Sequence, residues 1–384
     1  MVIINAFIYP VVGDPIENGY LRFSEVIEEL GPMEDYTPAS GEEVLDAEGG
    51  WLLPGLIDIH THLGLFGDGL GFEAEDCNDI GDPIAPQLRA IDAINPMDRT
   101  FRETLESGVT TVAVAPGSAN PCGGQVAAIH TCGRRIDDMI IKAPLAVKFA
   151  LGENPKSCYH DRDETPVTRM ATAALIRQTL FEARAYGEKQ EAARQNPELD
   201  PPDFDMKHEA LLPLLRREIQ AHFHAHRLDD IFTAVRIARE FSLDYVIIHG
   251  TEGYLAADIL AEEGTRVVTG PNLLDRCKPE LRNMSFSGPG ALTRAGVLCS
   301  ICTDHPETPL KYLTLCAAVA EKSGLSHAGA IRAITINPAR IAGLDGRIGS
   351  LEAGKQADLS LFTGDPLAIS SRCSHVFIDG RKCL

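Results

Sequence analysis

An apolar run closes on two histidines in Pro54-Gly55-Leu56-Ile57-Asp58-Ile59-His60-Thr61-His62. Residues two apart on a β-strand point to the same face. A strand here aims both imidazoles at one place beyond its end, as a shared metal ion requires. The rest of the chain must then fold so that further ligands reach the same place.

After this run the sequence alternates between strand-like and helix-like stretches. Eight strand candidates follow one another: Leu56–His62, Val109–Ala115, Val126–Cys132, Leu145–Ala150, Ile219–Ala225, Tyr245–His249, Arg266–Gly270 and Val297–Thr303. Amphipathic helices follow several of them. In Asp230–Phe241, Ile231, Ala234, Val235 and Ala238 form one stripe, and Gly253–Glu263 repeats the pattern with Leu255, Ile259 and Leu260. Eight parallel strands with intervening helices predict a (β/α)8 TIM barrel, whose active site lies at the C-terminal ends of the strands. The outer segments differ, with short strands broken by Gly, Pro and Asp at both ends of the chain. Residues 1–52 and 345–384 are expected to pair into one small β-sandwich domain, leaving residues 53–344 for the barrel. Two insertions stand out. Leu65–Asn95, after the first strand, is placed as a loop over the site. Phe181–Lys207 starts helical and ends in loop chemistry.

Composition narrows the function. Thirty-five basic against 55 acidic side chains leave a formal charge of −20. A surface that acidic excludes binding nucleic acid or anionic membrane through a basic face. No apolar run approaches the ~20 residues of a membrane span, and Met1–Ala6 reads as a strand rather than a signal peptide. The ten cysteines show no disulfide-framework spacing. Cys299 and Cys302 form a C-x-x-C, but residues three apart on a strand face opposite sides, so the pair is expected to be structural. These features point to the cytoplasm. A small-molecule substrate is the expected partner, and a homo-oligomer is left open.

Imidazole and carboxylate groups collect at the predicted strand ends. His60 and His62 close the first strand, His224 lies in the fifth among His222 and His226, His249 ends the sixth, and Asp304 ends the eighth. One strand histidine is an ordinary core residue; five such groups at strand ends of one barrel converge on one mouth. Zinc and similar ions take these donors, and a catalytic site keeps a position open for water.

On these residues the chain resembles the amidohydrolase superfamily, in particular its imidazolonepropionase-like and metal-dependent dipeptidase branch. The resemblance spans nearly the whole chain. It is carried by P-G-L-I-D-I-H-T-H at 54–62, I-H-G at 248–250, T-D-H-P at 303–306, and the run from Asn337 to Leu359. It implies that His60, His62, His224, His249 and Asp304 hold one or two divalent metals, zinc first, with iron, manganese or nickel possible. It also implies a bridging group on the fourth strand. Lys148 matches that position as a lysine carboxylated by carbon dioxide, and Glu153 is the rival. His226 is assigned to substrate and His222, deeper in the strand, to the core. The implied reaction is hydrolysis of an amide-type C–N bond by metal-activated water, in a cyclic amide, an N-acyl amino acid or a dipeptide-like substrate, with Asp304 as proton shuttle. The alternatives are a mononuclear deaminase of a heterocyclic amine and a non-catalytic barrel that has kept the ligands. The Gly-rich loop 116–125 is a candidate anion cradle or a plain turn. His305, Tyr254 and Arg276 are further candidates to face substrate.

Overall fold

Every residue of the strand Leu56–Thr61 is buried, so the strand must be covered on both faces. The computed structural model describes residues 1–67 and 71–384. Asp68, Gly69 and Leu70, inside the insertion expected over the site, lie outside the described residues. In chain order the strands are β1 (Val2–Ile8), β2 (Ile16–Phe23), β3 (Ile27–Pro32), β4 (Val44–Asp46), β5 (Trp51–Pro54), β6 (Leu56–Thr61), β7 (Val109–Val114), β8 (Cys122–His130) and β9 (Ile140–Ala150). They continue as β10 (Gln220–Ala225), β11 (Tyr245–His249), β12 (Val267–Thr269), β13 (Cys299–Ile301), β14 (Leu359–Phe362), β15 (Cys373–Ile378) and β16 (Arg381–Lys382).

Strands β6 to β13 form one eight-stranded sheet in sequence order, a nearly closed barrel of the expected TIM-like kind. One strand departs from expectation. β8 runs antiparallel to both β7 and β9, while the remaining pairs are parallel. The reason lies in the connections. Residues 115–121 and 131–139 are too short to carry a helical crossover, and an antiparallel neighbour needs none. The reversal brings the 115–121 loop to the same end of the barrel as the C-termini of β6 and β9.

The seam between β13 and β6 closes without a ladder. Residues just ahead of the helix Ile336–Ala342 wedge between the two strands: Ala333 O accepts from Ile301 N–H and Ile334 O from Ile57 N–H, at 2.9 and 2.8 Å. Higher up, Asp58 Oδ2 accepts from the N–H and hydroxyl of Thr303 at 2.8 and 2.7 Å. Asp58 Oδ1 accepts from His60 N–H at 3.1 Å. One buried carboxylate thus fixes the first and last strands in the register that brings His60 beside Asp304.

One of the two predicted stripes holds. Ile231, Ala234, Val235 and Ala238 of the helix Leu228–Glu240 are buried against the barrel wall. In the segment 253–263, a 3-10 turn Gly253–Ala256 followed by the helix Ala257–Glu262, Leu260 alone of the expected stripe is buried, while Leu255 and Ile259 are exposed. The second insertion extends the helix Arg169–Gln195 before its loop and the following helix Met206–Leu215. Cys299 and Cys302 are both buried and belong to different apolar clusters, as opposite faces of a strand demand. No helix among the described residues is long and apolar enough to cross a membrane.

The two chain ends meet in a second sheet, separate from the barrel, ordered β16-β15-β14-β5-β1-β2-β3 with β4 added to β1. Its hydrogen bonding makes it one continuous sheet rather than two separately bonded layers. Ile3, Ile8, Leu21, Phe23, Leu52, Leu359 and Phe377 share its core.

Candidate metal centre

The strand ends carry their side chains to one buried place. Asp304 Oδ1 lies 3.2 Å from His60 Nε2 and 3.3 Å from His62 Nε2. His60, His249 and Asp304 each offer an atom within 4.8 Å of the others, and so do His224, His226 and His249. The two groups adjoin at His249. His62 joins the first through Asp304. Lys148, fully buried, brings Nζ to 3.4 Å from His60 Nε2 and from Pro116 O.

Backbone geometry at the strand ends serves this convergence. His249 and Asp304 have φ of 73° and 52°, a region that non-glycine residues occupy at a cost and that clusters at functional sites. Hydrogen bonds then fix the rings. His249 Nδ1 donates to Gly270 O at 2.6 Å and His62 Nδ1 to Ala115 O at 2.7 Å. A carbonyl only accepts, so Nδ1 carries a proton in both rings, and in the neutral His249 this leaves Nε2 facing the cavity as a lone pair. Gly270 is required where it stands: its φ is 133°, and a Cβ there would meet Cys302 O at 2.2 Å. His224 Nδ1 pairs with Ser118 Oγ at 2.9 Å and His226 Nδ1 with Thr251 Oγ1 at 2.7 Å.

Electrostatics suit cation binding. Burial holds His60, His224 and His226 well below the usual histidine range and His249 down to about 4. These rings are neutral near pH 7, as metal ligands must be. Burial also lowers Lys148 to about 8. Burial would raise the Asp304 carboxyl, but His249, His60 and His62 hold it well below its usual range. His62 is the exception: burial opposes its charge, yet Cys77 and Asp304 raise it to about 10. The proton it holds sits where a metal would stand. Asp304 Oδ1 and His224 Nε2 are buried and make no hydrogen bond. Divalent ions would satisfy these atoms, so the donor set fits the metal expected from the sequence.

Glu153 begins the helix Glu153–His160, is only partly buried, and does not join either group among the described residues. His222 lies deeper, with Nε2 3.3 Å from Gln220 Oε1. Tyr254 donates to Asn283 O, and His305 Nδ1 accepts from Leu310 N–H. Arg276 is exposed, beyond the histidines. The Gly-rich segment divides: Gly123 and Gly124 lie in β8, while its first residues supply Pro116 O and Ser118 to the site.

Sequence reasoning missed three contributors. Asp58 was readable as a carboxylate inside an apolar strand. Cys77 and Ser118 lie outside the predicted strands, where no periodicity marks them. A cavity of about 260 Å³ opens above the histidines, and Phe66, Cys77 and Asn78 of the first insertion line it. The described part of that insertion therefore does border the site.

A barrel with paired histidines on its first strand and an aspartate at its last can be compared with known proteins. The sequence profile of the amidohydrolase family matches residues 51–383. The chain belongs to the amidohydrolase family. The crystal structure of an amidohydrolase from Thermotoga maritima is 39% identical, with a TM-score of 0.96, covering 100% of this chain and 99% of that one. Amidohydrolase tasK of Hapsidospora irregularis is 28% identical over 88% of this chain, which spans only 37% of that relative's length. Imidazolonepropionase of Methylobacterium nodulans is 27% identical over 86% of this chain and 84% of its own. These relatives place this amidohydrolase in the imidazolonepropionase-like branch, as a hydrolase acting on C–N bonds.

Proposed function

We propose that this amidohydrolase cleaves an amide-type C–N bond in a small cyclic amide, an N-acyl amino acid or a dipeptide-like molecule, with Asp304 moving the proton. The observation that carries the reading is Asp304 Oδ1, buried without a hydrogen bond and 3.2–3.3 Å from two imidazoles. His60, His62 and Asp304, with Lys148 beside them, would hold one divalent ion, and His224, His226 and His249 a second. Zinc is the first expectation, and the same donors accept iron, manganese or nickel. When bound, such ions acidify water and polarise a scissile carbonyl.

The chain's own groups do the rest. Asp304 takes the proton from the attacking water and delivers it to the leaving nitrogen. Its two oxygens would allow one to hold an ion while the other handles the proton. Gly270 O and Ala115 O keep Nε2 of His249 and His62 aimed inward. Burial lowers Lys148 to about 8, so more of it is free amine near neutral pH than in an ordinary lysine, which would suit reaction with carbon dioxide to form a carbamate ligand. His226 lines the cavity and is also available to substrate. The imidazolonepropionase relatives support putting cyclic amides first in a screen, and the unpaired thiols suit a reducing cytoplasm.

The test combines bound-metal analysis with a screen of cyclic amides, N-acyl amino acids and dipeptides. Asp304→Asn should lower kcat by at least about 100-fold on any substrate found. Full activity in that variant would refute the shuttle. A single ion per chain, with activity on heterocyclic amines, would move the reading to a deaminase.

A further inference from the structure

The two histidine groups differ in charge. The one containing His60 includes Asp304, whereas His224, His226 and His249 are all neutral donors. The carboxylate beside two of these three, His224 and His226, is Glu280, 1% exposed, in the segment after β12. Its Oε1 lies 3.7 Å from His226 Nε2 and 4.0 Å from His224 Nε2. Both distances exceed a hydrogen bond. They fit donors sharing one ion, because two bonds of about 2.1 Å span from about 3 Å at a right angle to about 4.2 Å in line. Glu280 Oε1 and His224 Nε2 both lack a hydrogen bond despite their burial.

The carboxylate is also held from behind. Glu280 Oε2 accepts from Glu153 N–H at 3.0 Å. Gly152 lets the backbone come that close: its φ is 86°, and a Cβ there would stand 2.9 Å from Oε2. Oε1 is left facing the rings. Lys278 Nζ approaches it to 2.7 Å, out of hydrogen-bond alignment, while donating to Asn154 Oδ1 at 2.9 Å.

We propose that Glu280 is a carboxylate ligand of the ion held by His224, His226 and His249, and that Lys278 is the counter-cation Glu280 gives up when that ion binds. The assignment rests on the metal-dependent reading above. It supplies the second ion with an anionic ligand whether or not Lys148 carries carbon dioxide.

The experiment counts zinc per chain and measures its affinity by chelator competition, in the full-length wild type, Glu280→Gln and Lys278→Met, with circular dichroism to confirm folding. The wild type should hold two ions. Glu280→Gln should weaken the second more than about 100-fold, beyond the loss typical of a group that only orients a ligand, and leave the first unchanged. Lys278→Met should tighten the second ion, because no ammonium competes for Oε1. If Glu280→Gln fails to fold, a crystal structure of the zinc-loaded wild type keeps the proposal testable: Glu280 Oε1 should lie about 2.1 Å from the second ion, and a separation beyond about 3 Å would overturn the assignment. Two ions retained at unchanged affinity in Glu280→Gln, or a wild type that saturates at one, would overturn the Glu280 assignment and leave a metal-dependent hydrolase standing. A wild type that binds no zinc would overturn both.

Discussion

Asp58 is where fold and site depend on one carboxylate, so Asp58→Ala tests the link between them. The side chain is fully buried and accepts from two backbone N–H groups and one hydroxyl. Truncation leaves His60 N–H and Thr303 N–H without acceptors, at about 1–3 kcal/mol for each buried unsatisfied group. The Thr303 hydroxyl can rotate to another partner. The removed charge was itself costly to bury, since burial pushes the Asp58 carboxyl up to about 7. The net loss should therefore fall in the lower part of the range, about 2–4 kcal/mol. The pH dependence has a definite sign. A carboxyl raised above its ordinary value binds protons more tightly when folded, so wild-type stability falls as pH rises from about 4 through about 7. The alanine variant lacks that decline, so the gap between the proteins should be larger at pH 5 than at pH 8. Urea unfolding of the metal-chelated proteins at both pH values measures it. Metal affinity should fall as well, because Thr303 no longer holds Asp304 against β6. A loss below about 0.5 kcal/mol, the size of an ordinary surface substitution, with metal binding unchanged, would show that the seam does not depend on this carboxylate.

Three further outcomes follow from other parts of the chain. Lys148, lowered to about 8 by burial, should take up labelled bicarbonate as a carbamate more readily as pH rises through that value, visible by ¹³C NMR and absent in Lys148→Arg; a wild type without the signal would remove the carbamate. Gly270→Ala forces a residue with a Cβ into φ 133° against Cys302 O, so it should cost at least about 1–3 kcal/mol in thermal or urea unfolding and weaken metal binding through His249. In the terminal sheet, Arg22 holds the Glu42 carboxyl down to about 2. That pair stabilises the protein above the ordinary carboxyl pKa and loses its effect as pH falls towards 2, so the stability gap between wild type and Glu42→Gln should be present at pH 6 and close in acid.

The barrel was legible because strands buried on both faces read as apolar runs, and because a strand's period of two puts ligands on one side. That covers His60, His62, His224, His249 and Asp304, each at or beside a strand end. It does not cover direction. Val126–Cys132 reads equally well in either sense, and only the shortness of its flanking loops speaks against a parallel β8. The same reversal explains why a loop that looked like an anion cradle supplies Ser118 to His224 instead. Glu280 was illegible for another reason. It stands in irregular backbone where no residue repeats a pattern, and its role depends on the distance to His224 and His226, more than fifty residues earlier in the chain. Sequence periodicity finds the candidate side chains that regular strands aim at the centre; those on loops, such as Glu280, emerge only once the fold has brought the loops there.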